Sequence, residues 1–362
     1  SIEKLMAKIL VAVLDWGLGH AARSSRIIQL LTDRHHEVVI ASSGVALEFL
    51  KSGFPNLKSY ELPGYNVSYS KYKALLVPAL ISDFPKFLRL IKKEQNLVEQ
   101  IISSEAISLV ISDNRYGCYS KKIQSIFICH QLTIPLNGIL RPFRRLVSAI
   151  HTRIIKKFDA VWIPDFPDHR FSGVMSVCSG LTPKYIGILS RFSSCPAINE
   201  KQFYITAIIS GPDPSRYRLV SRLELILKEF KRPCLLITGR PGYDDTPKQI
   251  NDLTILPHAE TLKMQEIICS SEFIIARSGY TSLMDFAVTG SKVLFIPTPG
   301  QPEQKFIAEQ MLQMGRAARL SENDLTAKNI EGCLKNLQPL SINADKNFSE
   351  NLLLDMVARI NL

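Results

Sequence analysis

His20, in the run Gly17-Leu18-Gly19-His20-Ala21-Ala22-Arg23, is the residue of this chain best suited to move a proton. Its imidazole titrates nearest neutrality, and Gly17 and Gly19 let the backbone turn tightly and come close to a ligand. Asp113, in Ser112-Asp113-Asn114-Arg115-Tyr116-Gly117, is a carboxylate that could orient such an imidazole and stabilise its protonated form. Plainer roles explain the same letters: a histidine bonded to backbone at a helix start, and an aspartate capping the next helix. His130, in Ile128-Cys129-His130-Gln131, is a second imidazole in a comparable position.

A different chemistry lies between Ala276 and Gln304, in ARSGYTSLMDFAVTGSKVLFIPTPGQPEQ. After a short apolar strand, Arg277, Ser278, Gly279, Tyr280, Thr281 and Ser282 make a turn that frees backbone N–H groups at a helix start, where the helix dipole favours an anion. Asp285, one turn in, could accept hydrogen bonds from vicinal hydroxyls. Glu303 and Gln304 end a Pro/Gly loop, and the amide of Gln304 both donates and accepts. Ile209-Ser210-Gly211-Pro212-Asp213-Pro214-Ser215-Arg216 offers a hydroxyl, open backbone and a cation, as a phosphate loop or a plain turn would. Backbone around His258 and Ala259, in Leu256-Pro257-His258-Ala259-Glu260, could read a base edge, and a surface loop explains it equally.

The elements that must carry these residues alternate. Lys8 to Leu14 (KILVAVL) is a continuous apolar run of the buried parallel kind. A helix is expected from Ala21 to Arg34, a strand from Glu37 to Ala41, and a helix from Val45 to Ser52. Further strands are expected at Ile107–Ser112, Ser125–Cys129 and Ala160–Ile163. Tyr60 to Lys93 reads as irregular, aromatic and basic. Leu140, Phe143, Leu146, Val147, Ile150, Ile154 and Phe158 fall at helical spacing among Arg144, Arg145, Arg153, Lys156 and Lys157. Such a helix suits an anionic lipid surface, or a core with a solvated charged face. Pro164 to Asn199 is rich in Pro, Gly and Ser. A second series follows, with strands at Gln202–Ser210, Cys234–Thr238, Leu253–Leu256, Phe273–Ala276 and Lys292–Ile296. The expected architecture is α/β: two Rossmann-like, doubly wound parallel-sheet domains facing across a cleft. The first spans 1–190 and the second 197–345. Residues 346–362 hold a helix, apolar on one face from Phe348 to Ile360, that packs back on the first domain.

Composition narrows the class. A chain of 362 residues exceeds one core, and no apolar run approaches the about 20 residues that cross a bilayer. The seven cysteines are scattered and never form Cys-x-x-Cys, which argues against a zinc site or a disulfide framework and for a reducing cytoplasm. The net charge of +11 is uneven: residues 1–165 hold 22 Lys+Arg against 13 Asp+Glu, a balance of +9, and the remainder 22 against 20. The first half therefore expects an anionic partner. Nucleic acid is excluded for want of a stacking platform. A dinucleotide fingerprint would need glycine where Ala22 stands and an acid after Ala41, where Ser42 and Ser43 follow.

Together these residues resemble the GT-B superfamily of nucleotide-sugar glycosyltransferases, and within it the MurG-like branch, whose namesake adds N-acetylglucosamine to a lipid-linked precursor. The similarity covers most of the chain and is best from Leu256 to Gln304. The Arg277-Ser278-Gly279 turn and the spacing of Pro297 to Gln304 match, whereas Asp285 stands where the family usually has glutamate, and SGPDPSR adds two prolines to the family's Gly/Ser loop. The resemblance implies an inverting hexosyltransferase with a nucleotide-diphosphate sugar, such as UDP-N-acetylglucosamine, as co-substrate, and neither cofactor nor metal. It implies His20 or Asp113 as base. The donor side would comprise Ser210, Gly211, Arg216, His258, Ala259, Arg277, Ser278, Gly279, Tyr280, Thr281, Ser282, Asp285, Glu303 and Gln304. The acceptor side would comprise Gly17, Gly19, Arg115 and His130, and the acceptor would be a glycan or a lipid-linked cell-envelope precursor. The implied location is the cytoplasm, peripheral to the inner face of the membrane. Gly19-His20-Ala21-Ala22-Arg23 also looks like the Gly-His-x-x-Arg loop of the nucleotide-sugar hydrolase of pseudaminic acid synthesis, in which His20 would activate water. A binding protein for sugar nucleotides without an acceptor site is the third reading.

Overall fold

The computed structural model describes residues 6–65, 76–133, 144–197, 200–240 and 246–340. The chain divides into two compact units, one running to Leu189 and one beginning at Ser190.

The first unit opens with β1 (Lys8–Val13), whose residues Ile9 to Val13 are all buried because helices cover both faces of a parallel sheet. There follow α1 (Leu18–Asp33), β2 (Glu37–Ser42), α2 (Gly44–Gly53), β3 (Lys58–Glu61), α3 (Leu76–Glu105), β4 (Leu109–Asp113), β5 (Gln124–Ile128), α4 (Arg144–Ile155), β6 (Ala160–Ile163) and β7 (Lys184–Tyr185). The seven strands form one sheet in the order β3-β2-β1-β4-β5-β6-β7, parallel throughout. The chain winds outward from β1 to β3, then returns to lay β4 on the other side of β1, with Val13 opposite Asp113. Where the winding reverses, the connections leave in opposite directions and a crevice opens at the carboxyl ends.

The second unit comprises β8 (Phe203–Ile208), α5 (Ser215–Leu227), β9 (Cys234–Ile237), β10 (Lys248–Ile250), β11 (Leu253–Leu256), α6 (Thr261–Cys269), β12 (Ser271–Ala276), α7 (Tyr280–Thr289), β13 (Val293–Phe295), α8 (Pro302–Gln313), β14 (Ala318–Arg319) and α9 (Ala327–Leu334). Its strand order is β10-β11-β9-β8-β12-β13-β14, and the winding reverses between β8 and β12, where Ile208 lies opposite Ala276. The edge strand β10 runs antiparallel to β11, a departure from the all-parallel expectation. Ile205, Ala207, Leu236, Ile275 and Leu294 of the sheet pack with Leu219, Leu223 and Ile226 of α5 and Ile330 and Leu334 of α9.

Two expectations are corrected. The stretch expected to be irregular from Tyr60 to Lys93 is helical from Leu76 onward, in α3, despite Pro85, and Tyr60 belongs to β3; residues 66–75 lie outside the described residues. Phe87, Ile91, Glu94, Val98, Ile101 and Glu105 recur at spacings of four and three, so one stripe faces the core, and one missing N–H at Pro85 does not outweigh it. The cysteines do form a bond: Cys195 joins Cys269 at the end of α6, with their Cα atoms 5.3 Å apart. Looking for close cysteine pairs misses a bond between residues 74 apart in the chain, and the argument for a reducing compartment loses its support. Cys118, Cys129, Cys178, Cys234 and Cys333 are free thiols. Leu140, Phe143 and the terminal helix expected at Phe348–Ile360 lie outside the described residues. Among the described residues no helix is long and apolar enough to cross a membrane.

Candidate active site

In the first unit the polar residues gather where the winding reverses. Gly17 precedes α1 at φ 77°, a left-handed conformation that a side chain would strain, so glycine is required for the turn from β1 into the helix. Along α1, His20, Arg23 and Ser24 share one face at helical spacing. All three meet Asp113 at the end of β4. His20 Nδ1 lies 2.9 Å from Asp113 Oδ1, Arg23 Nε donates to Oδ2 at 2.7 Å, and Ser24 Oγ donates to Oδ2 at 2.8 Å. A second Arg23 nitrogen donates to Oδ1. From the end of β5, His130 Nδ1 lies 3.1 Å from Arg23 Nη1.

The electrostatics follow from these contacts. Asp113 is fully buried, which by itself would raise its pKa, yet the charges and hydrogen bonds of Arg23 and His20 hold the carboxyl well below the usual range. Burial lowers the pKa of His20, with the charge of Asp113 working against it. His20 is thus a neutral imidazole near pH 7, with Nδ1 against a carboxylate. A neutral imidazole held in this way can take a proton at Nε2.

Arg115, expected on the acceptor side, is corrected. Its guanidinium is enclosed and donates to Glu94 Oε1 at 2.5 Å, to the Val13 carbonyl and Ser43 Oγ at 3.1 Å each, and to the Pro63 carbonyl. Glu94 in turn accepts from the Gly117 N–H at 2.7 Å and from Tyr65. The pair ties β1, α2 and α3 together behind Asp113, and Arg115 has no face left for a ligand. Gly117 is required there, since a Cβ would lie 2.5 Å from the Ile91 carbonyl oxygen.

In the second unit, Ser210 and Gly211 follow β8 and are exposed, with Gly211 at φ 113°. Arg216 lies in the first turn of α5, where it pairs with Asp213 at 2.7 Å and donates to the Gly239 carbonyl. Gly279 caps α7, which begins at Tyr280 and continues through Thr281 and Ser282. Arg277 is buried beneath this turn. It donates to the Ile296 carbonyl at 3.0 Å and to Ser215 Oγ at 3.1 Å, and pairs with Glu322 at 2.7 Å. Its charge is therefore met internally, and it fastens the start of α5 to the loops after β12 and β13. The starts of α5 and α7 converge on one edge of the sheet, the arrangement that suits an anion. Ser278 Oγ donates to the Gln304 carbonyl at 2.7 Å. The Gln304 side chain accepts from the Thr298 N–H at 2.8 Å and donates to Gln301 at 2.6 Å, closing the proline-rich loop. Glu303, in the first turn of α8, is half-buried. His258, half-buried, and Ala259, buried, lie between β11 and α6.

Asp285 points into the protein. Its Oδ1 accepts from Ser190 Oγ at 2.5 Å, Arg191 lies 3.9 Å from Oδ2, and burial pushes its pKa up to about 6. Ser190 and Arg191 escaped the sequence reading because nothing local marks them. Glu94 was hidden in the apolar stripe of α3. Arg23 was signalled only by its place three residues after His20.

The chain matches glycosyl transferase family 1 over residues 7–134 and the glycosyltransferase family 28 C-terminal domain over residues 221–353. It is 24% identical to an uncharacterized glycosyltransferase of Methanopyrus kandleri, over 81% of this chain and 86% of that one. It is 28% identical to the UDP-N-acetylglucosamine–N-acetylmuramyl-(pentapeptide) pyrophosphoryl-undecaprenol N-acetylglucosamine transferase of Lactobacillus johnsonii, over 40% of this chain and 41% of the relative. Among solved structures, MurG of Acinetobacter baumannii is similar in fold, with a TM-score of 0.62 and 15% identity over 97% of this chain and 99% of that one. A UDP-glucosyltransferase of Polygonum tinctorium is likewise similar, with a TM-score of 0.62 and 13% identity over 99% of each chain. Two doubly wound units of this topology, with these matches across both, make the chain a glycosyltransferase of the GT-B type carrying a family 28 C-terminal domain.

Proposed function

We propose that the protein transfers a sugar from a nucleotide-diphosphate donor, of the UDP-N-acetylglucosamine kind, to a hydroxyl of a glycan or lipid-linked acceptor, with inversion at the anomeric carbon. The observation that carries this reading is the His20–Asp113 pair, in which a neutral imidazole is held by a buried, ionised carboxylate. His20 Nε2 removes the proton of the acceptor hydroxyl as its oxygen attacks the anomeric carbon. The bond from that carbon to the diphosphate oxygen breaks, and the proton stays on the imidazole beside Asp113. The second unit holds the departing diphosphate with backbone N–H groups at Ser210–Gly211 and at the start of α7, with no charged side chain required beyond Arg216. Asp285, buried against Ser190 and Arg191, supports α7 from within the second unit rather than by touching the nucleotide. The name of the Lactobacillus relative supports a lipid-linked acceptor. So do the exposed basic residues Arg89, Lys92 and Lys93 on α3 and Arg145 and Arg153 on α4, with exposed Leu88 and Leu146 among them, a composition suited to anionic lipid. The names of the relatives do not favour a hydrolase or a non-catalytic sensor.

The test is a thermal-shift panel of nucleoside diphosphates and their sugars, followed by tracing a labelled sugar from the stabilising donor. Label in a lipid or glycan product supports the proposal; label released only as free sugar overturns it. His20→Ala should retain donor binding and lose about 10²- to 10⁴-fold in turnover, and unchanged turnover removes His20 from its role.

A further inference from the structure

The proposed reaction needs His20 to present a lone pair, and one buried cation governs that choice. We propose that Arg23 is the positioning residue of this centre, fixing the Asp113 carboxylate and setting opposite tautomers on His20 and His130. The inference rests on the base role proposed for His20 but has its own readout.

Arg23 is 1% exposed, and its planar guanidinium reaches Asp113, His130 and His20. Two of its nitrogens grip the two oxygens of Asp113, so the carboxylate plane is fixed rather than free to rotate. A guanidinium only donates. His130 Nδ1, 3.1 Å from Arg23 Nη1, must therefore be the acceptor, which leaves the proton of that ring on Nε2. His20 Nδ1 lies between Asp113 Oδ1 at 2.9 Å and Arg23 Nη2 at 3.0 Å. Arg23 Nη2 donates to that same Oδ1 at closer range, and the ionised carboxylate accepts and cannot donate, so Nδ1 carries its hydrogen toward Oδ1. A bare Nδ1 would instead face a carboxylate oxygen, lone pair against lone pair. Nε2 of His20 is thus left as a lone pair, whereas Nε2 of His130 bears a proton. The charged and titratable groups around His20 are Asp113 from β4, Arg23 from its own helix and His130 after β5. Arg23 repels the imidazolium that forms in the reaction, as burial does, and Asp113 attracts it.

The experiment is ¹⁵N NMR of the full chain labelled at histidine, with His20→Gln and His130→Gln assigning the two rings. At pH 7.5 the parent should show His20 protonated at Nδ1 only and His130 at Nε2 only. Arg23→Lys keeps the buried charge but cannot fork, so it should melt near the parent while His130 exchanges between tautomers. In that variant turnover should fall by on the order of 10²-fold with KM for the donor unchanged, the pattern of a misplaced base. Arg23→Gln removes the charge, and the double variant Arg23→Gln/Asp113→Asn keeps it foldable by removing both halves of the pair. In Arg23→Gln the His20 titration midpoint should rise by about one pH unit. His130 protonated at Nδ1 in the parent, or unchanged tautomers and turnover in Arg23→Lys, overturns the proposal. If the spectra come out as expected but His20→Ala turns over normally, the positioning stands and the base role fails.

Discussion

Asp285→Asn isolates the cost of one buried acid. Burial lifts the Asp285 carboxyl from its ordinary 3.8 to about 6. The sign follows from linkage: an acid whose pKa is raised by folding stabilises the native state while protonated, and loses that contribution as pH rises through about 6. At about 1.4 kcal/mol per tenfold change, the loss for these two values amounts to about 1.4 kcal/mol between pH 5 and pH 8. Asparagine keeps an acceptor for the Ser190 hydroxyl and does not ionise. The stability of Asp285→Asn relative to the parent should therefore grow by that amount across the window. Urea unfolding followed by far-UV circular dichroism measures it. Both tryptophans, Trp16 and Trp162, belong to the first unit, so the fluorescence transition serves as a control that should not move with the substitution. A stability difference that stays flat from pH 5 to pH 8 would refute the reasoning and give Asp285 an ordinary, solvated carboxyl.

Two further outcomes follow from packing and cross-linking. Cys195→Ser, or reduction of the Cys195–Cys269 bond, frees a loop of 74 residues and should lower the stability of the second unit by about 4 kcal/mol on loop entropy alone. Melts with and without a dithiol reductant measure this, and coincident curves would contradict it. Gly117→Ala places a methyl group 2.5 Å from the Ile91 carbonyl oxygen and 2.6 Å from Glu94 Oε2. Neither is free to retreat, because α3 and the Arg115 pair hold both, so the substitution should destabilise by about 1–3 kcal/mol. A thermal melt equal to the parent's would show that the Glu94–Arg115 pair yields.

Legibility in the sequence tracked how locally each feature is specified. The run KILVAVL announced a strand buried on both faces, and the turn ARSGYTS announced a helix start, because both are written in neighbouring letters. The approach of His20 to Asp113 was readable for a topological reason: each residue lies just past a strand, and adjacent parallel strands bring their carboxyl ends to one edge. Features that depend on distant partners were not readable. Arg115 looked like a ligand-binding cation until Glu94, 21 residues earlier and masked by the apolar period of α3, was seen to meet it. Arg277 and Gln304 likewise turn inward, toward Glu322 and the Thr298 N–H. The stretch before Lys93 read as irregular because the apolar stripe of α3, which carries the helix past Pro85, is interleaved with basic residues. The partner of Cys195 lay beyond any motif.

The reversal of winding in each sheet also sets when the protein becomes competent. His20 and Asp113 are 93 residues apart, and they meet only after β4 has slotted beside β1. The second unit repeats the pattern, since β12 must cross the unit to lie against β8. Pairings of such long range form slowly, because so much chain must be brought together before any contact rewards it. A chain that ends before β4 thus carries His20 and Arg23 without the carboxylate they meet. Until β4 lies beside β1, Arg23 and Asp113 have no reason to leave water.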